Sequence, residues 1–167
     1  AIRIAARPPQ GLPDGEYRVH LLFRAIPPAN PVVKASAEPE KGLRFQLTPI
    51  YGVTIPVMVR LGNRQATGGI ANVRLEKKDG APAVALDLTR TGSRSTFGEV
   101  RVIKAGVKDP IPLQKGVAVY TEVGSRHMSI PLSAAYKGEA TRPVTVQYVE
   151  TFDDGARVIA ETQAVLR

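Results

Sequence analysis

The chain has 167 residues, a net charge of +8, 14 prolines, 15 glycines and no cysteine. That composition excludes a disulfide framework and thiolate metal sites, and it weighs against helices, because proline breaks their ladder and glycine costs backbone entropy. The basic residues are dispersed, with only Lys77 and Lys78 adjacent, and the 5% aromatics do not alternate with them. No base-stacking platform is expected, and hence no nucleic-acid partner. No apolar stretch approaches the ~18 residues of a membrane helix, so no membrane insertion is expected. No charged start followed by an apolar core marks a signal peptide.

In chain order, residues 2–7 alternate weakly, and Pro8-Pro9 with Gly11 to Gly15 supply turn chemistry. Glu16 to Ile26 reads as a strand, with Tyr17, Val19, Leu21, Phe23 and Ala25 on one face and Arg18, His20, Leu22 and Arg24 on the other. Pro27-Pro28 ends it, and residues 29–42 read as a loop. A long extended segment is predicted from Leu43 to Arg60, interrupted by Pro49 and Pro56. Proline cannot donate to a ladder, so this segment belongs on an edge. A long apolar edge offers unpaired backbone groups to another chain.

Leu61 to Gly69 reads as a linker. Seven strands are then predicted, at 70–77, 82–90, 97–104, 116–122, 126–132, 143–152 and 156–166, the last two joined by a hairpin at Asp153-Asp154-Gly155. In the first partner of that hairpin Val144, Val146 and Tyr148 share a face. In the second, Val158, Ala160, Thr162, Ala164 and Leu166 do, with Ile159 and Val165 opposite. Seven strands in about 100 residues fit an immunoglobulin-like sandwich. The fold expected is all-β. Residues 1–60 form a partial first domain, 61–69 a linker and 70–167 a complete second domain. Two or three strands lack the area for independent stability, so the first module needs further strands.

No catalytic residue, metal ligand or cofactor is assigned. His20 and His127 each lack a ligand-spaced companion. Asp153 and Asp154 are explained by their turn. Serines 93, 95, 125, 129 and 133 lack a nucleophile elbow, and no phosphate-binding glycine spacing occurs. The chain reads as a binding protein, not an enzyme.

Leu12–Pro28 (LPDGEYRVHLLFRAIPP) resembles a late first-domain strand of the PapD-like periplasmic pilus chaperones. Ile50–Arg60 (IYGVTIPVMVR) resembles the G-strand ending of the archaic chaperone–usher branch. Ala85–Val102 sits where early strands of the second domain belong, and Tyr148–Val158 (YVETFDDGARV) is similar to its closing hairpin. The resemblance implies a periplasmic chaperone of two domains, the first incomplete here. It would lend its G strand to a pilin or spore-coat-U-like subunit by donor-strand complementation and deliver it to an outer-membrane usher. Leu43, Phe45 and Leu47, with Tyr51 beyond Pro49, are then the subunit-binding side chains. The resemblance also implies that Arg60 meets Asp153 or Asp154 between the domains. It carries over no anchor for a subunit carboxylate: Pro56 stands at the place of the family's G-strand lysine. The alternative reading is an immunoglobulin-like adhesion module that binds carbohydrate or protein, disfavoured by the absence of tryptophan.

Overall fold

The computed structural model describes residues 2–27, 49–133, 143–152 and 154–166. Among them are nine strands and no helix: β1 (Glu16–Arg24), β2 (Gly52–Arg60), β3 (Ala66–Lys78), β4 (Ala81–Gly92), β5 (Thr96–Lys104), β6 (Leu113–Val119), β7 (Ser125–Pro131), β8 (Pro143–Phe152) and β9 (Gly155–Val165). The chain divides into two compact units, one holding residues 1–16 and 60–167, the other residues 17–59.

In the first unit a three-stranded sheet, β3-β4-β7, and a four-stranded sheet, β6-β5-β8-β9, share one hydrophobic core. All the pairings are antiparallel. The architecture is a β-sandwich, and strand alternation builds it. Val84, Leu86 and Leu88 of β4 and Ile130 of β7 meet Val100 and Val102 of β5, Val117 and Val119 of β6, and Val144, Val146 and Tyr148 of β8. Burying each such side chain contributes roughly 1.5–3 kcal/mol. The Tyr148 hydroxyl is satisfied inside this core. It donates to the Val117 carbonyl at 3.0 Å and shares a hydrogen bond with the Thr96 hydroxyl at 3.2 Å. Burial pushes the Tyr148 phenol above its ordinary value.

Three sequence expectations change. The linker expected over 61–69 is shorter, because Ala66 to Gly69 already pair with Gly92 to Thr89 as the start of β3. The strand expected at 116–122 begins at Leu113, which pairs with Arg101, and its end gives way to a turn closed by Val123 N–H on the Tyr120 carbonyl. In β9 the expected face is broken. Tyr148 pairs with Ala160 but Val149 with Val158, so Ile159 is an extra residue. That bulge leaves Val158 exposed and turns Ile159 onto the core, where it packs over Gly68.

All four edges of this sandwich are interrupted. In β3 the register shifts between Ala71 and Arg74, with Asn72 in the left-handed region at φ 53°. In β6 Lys115 and Gly116 together stand opposite the single residue Glu99, with Gly116 at φ 69°. In β9 the Ile159 bulge serves, and β7 is seven residues long and ends on Pro131. Bulges, lysines, short strands and prolines are the ordinary means by which sheets avoid pairing with a neighbour.

Candidate functional site

The second unit contains the two-stranded sheet β1-β2. Its register follows from two ends. Gly15 and Leu61 exchange both backbone hydrogen bonds, at 3.2 and 2.9 Å, and Ala25 N–H donates to the Tyr51 carbonyl at 2.8 Å. The second contact lies ten residues later on β1 and ten earlier on β2, so the pairing is antiparallel with no net slip. Opposite residues share a face in such a pair. One face therefore carries Tyr17, Val19, Leu21, Phe23 and Ala25 opposite Val59, Val57, Ile55, Val53 and Tyr51, without a charge. The other carries Arg18, His20, Leu22 and Arg24 opposite Met58, Pro56, Thr54 and Gly52. The alternation read from the sequence of β1 survives, and β2 supplies its apolar complement.

This apolar face is only partly covered. Tyr51 is 74% exposed, Val53 60% and Ile55 45%, whereas Val57 and Val59 are half-buried. A soluble chain exposes single apolar residues freely, but a contiguous stripe of them marks a surface that something covers. The expected binding residue Tyr51 lies on this stripe. Leu43, Phe45 and Leu47 lie outside the described residues.

The ionisable groups form a second set. Arg60, at the end of β2, donates from Nε to Glu16 Oε2 at 2.9 Å and from Nη2 to the Ser95 carbonyl at 3.3 Å. Glu16 also accepts from the Ser95 N–H at 2.9 Å and from its hydroxyl. Burial works to raise the Glu16 carboxyl, but these bonds from Ser95 and Arg60 outweigh it and hold the group below its ordinary value. Among the described residues the acid that meets Arg60 is Glu16. Asp154 pairs instead with Arg157, three residues on, and Asp153 lies outside the described residues.

Two more clusters escaped the sequence reading. Arg94 and Glu150 form a buried ion pair, and Arg94 stacks 5.5 Å over the Phe152 ring. The bond from Glu150 raises the Arg94 guanidinium further. The available signal was Glu150 itself, a carboxylate inside the apolar run of β8. Across β3, β4 and β7, Asn72 Nδ2 donates to Asp87 Oδ2 at 2.6 Å and His127 Nδ1 lies 2.7 Å from Asp87 Oδ1. The Asn72 amide, then His127, holds the Asp87 carboxyl below its ordinary value. Among the described residues no three His, Asp or Glu side chains converge as metal ligands. These groups tie neighbouring strands and loops to one another.

No family model, no curated protein and no solved structure matches the chain.

Proposed function

We propose that this chain is a periplasmic pilus-assembly chaperone of PapD-like type, which holds subunits by strand addition for delivery to an outer-membrane usher. The observation that carries the reading is a contrast. Each edge of the seven-stranded sandwich is bulged or, in β7, short and ended by Pro131, whereas β2 presents Tyr51, Val53 and Ile55 exposed on one uncharged face before its Pro56. Strand addition needs that pair of properties. Main-chain groups at the edge supply affinity, and alternate apolar side chains enter the partner's groove and supply specificity.

The sandwich fits the same reading. Its strand order, first-second-fifth in one sheet and fourth-third-sixth-seventh in the other, supports reading it as an immunoglobulin-like sandwich. The two-stranded sheet is then the late part of a first immunoglobulin-like domain. Binding by this route consumes no nucleotide and uses no cofactor, because the subunit's own folding supplies the free energy.

The test is co-purification from periplasm with candidate pilin or spore-coat-U-like subunits, read by mass spectrometry. The wild-type chain is expected to retain a subunit, and the Phe45→Glu, Leu47→Glu double variant to lose it while its sandwich unfolds at the wild-type denaturant midpoint. A folded double variant that keeps the wild-type yield of complex rules out this strand as the donor.

A further inference from the structure

Along β4 the inward series Leu86, Leu88 continues two residues later with Arg90, which is only 9% exposed. A charge at the end of a core is costly unless its donors are met. Among the described residues every hydrogen bond of this guanidinium goes to a backbone carbonyl. Nη1 donates to Gly92 at 2.8 Å and to Arg94 at 3.1 Å, and Nη2 donates to Thr121 at 3.2 Å. Nε is buried with no partner. A buried donor left unmet calls for a reason, and the reason lies in what the other two nitrogens hold.

The carbonyls on Nη1 belong to the turn between β4 and β5, and the carbonyl on Nη2 to the turn after β6, so one planar group braces two turns. Three contacts leave the first turn. Ser93 N–H donates to the Gln65 carbonyl at 2.8 Å, and the Arg94 side chain grips Glu150. Ser95 gives its N–H and hydroxyl to Glu16, and its carbonyl accepts from Arg60. Glu16 is the first residue of β1 and Arg60 the last of β2, and both belong to the sandwich unit.

We infer that Arg90 is a positioning residue: by bracing the carbonyls of Gly92 and Arg94 against that of Thr121, it shapes the turn whose Ser95 clasps Glu16 and Arg60 to the sandwich. An apolar residue at this position would fill the space and leave the turn unbraced. A lysine would bring a single ammonium where two turns need a planar fork. The clasp lies within one compact unit and does not depend on what the chain binds, so its failure and that of the chaperone reading are separate results.

The test is a carboxyl-detected titration of Glu16, with amide exchange at Ser95, in wild type, Arg90→Met and Arg126→Met. Arg126 is the control, an arginine on the same sheet face that bonds to the Ala118 carbonyl at 2.8 Å. Burial works to raise the Glu16 carboxyl, and the bonds from Ser95 and Arg60 outweigh it. The cations acting on it, Arg60 and at longer range Arg94, remain in every variant. In Arg90→Met the Glu16 midpoint should therefore rise towards its ordinary value. The Ser95 amide should exchange roughly tenfold faster relative to the Val102 amide, the effect of about one lost hydrogen bond. Val102 N–H donates to the Pro112 carbonyl inside the sandwich and reports global opening. Arg126→Met should speed the two amides together and leave Glu16 in place. A Glu16 midpoint unmoved by Arg90→Met, or raised as far by Arg126→Met, overturns the inference, and so does a Ser95 amide that keeps pace with Val102. If Arg90→Met does not fold, Arg90→Lys decides by the same two readouts. It should raise the midpoint and loosen Ser95, and wild-type values for both refute the brace.

Discussion

Arg94 grips Glu150 with two parallel hydrogen bonds, Nη1 to Oε1 at 2.7 Å and Nη2 to Oε2 at 2.9 Å, joining the turn before β5 to the far part of β8. Glu150 is buried and Arg94 largely so, and Glu150 Oε1 also accepts the Phe97 N–H at 3.2 Å. Removing one partner strands the other charge away from water, which costs about 3–5 kcal/mol. Arg94→Ala should therefore lower the urea midpoint sharply at unchanged slope. The Arg94→Met, Glu150→Leu double variant should recover much of the loss, because buried pairs contribute little over apolar residues of like volume. Equal losses in single and double variants would show that the pair is not the source.

Gly98 sits where β5 passes β8, opposite Glu150. A Cβ there would run into the Val149 carbonyl, within 2.7 Å of its carbon and 2.9 Å of the Glu150 Cα. Both obstacles are backbone, so the strands must part. Gly98→Ala should destabilise the sandwich by about 2–3 kcal/mol or more, the range of an overpacked core. Chemical denaturation measures it. Gly80→Ala, with open space at its Cβ but φ +81°, serves as the comparison that separates backbone strain from collision.

The Glu16 carboxylate gives the fold an acid dependence of known sign. Its ionisation is favoured in the folded chain, so its stabilisation is complete above the ordinary carboxylate range and is lost as pH falls through the lowered folded value. Glu16→Gln should cost about 1–2 kcal/mol at neutral pH, the scale of hydrogen bonds to a charged group. The gap between wild type and variant should close as the solution is acidified. Denaturation midpoints at a series of pH values below 7 give this difference, and a gap that widens in acid contradicts it.

Charging the open stripe separates binding from folding. Val53→Glu should leave the unfolding of the sandwich unchanged, because this residue belongs to the other compact unit and is largely exposed. Subunit retention should fall steeply, since burying an unpaired carboxylate in an apolar groove costs several kcal/mol. Thr54→Ser, on the opposite face, should retain subunits as wild type does.

Much of this molecule was legible in its chain. Alternation in Val144, Val146 and Tyr148, and in Tyr17 to Ala25, fixes which side chains share a face, because a strand has a period of two. Turn chemistry at Asp154-Gly155 separates the last two strands, and the lack of cysteine rules out disulfides by composition alone. Only the tertiary structure decided where that period breaks. The bulges at Asn72, at Lys115 and Gly116, and at Ile159 depend on which strand lies alongside, and that neighbour is distant in sequence. The partners of charge were hidden for the same reason: Arg60 finds Glu16 forty-four residues away and Arg94 finds Glu150 fifty-six away. A local pattern reports the face of a residue, and long-range pairing reports what that face meets.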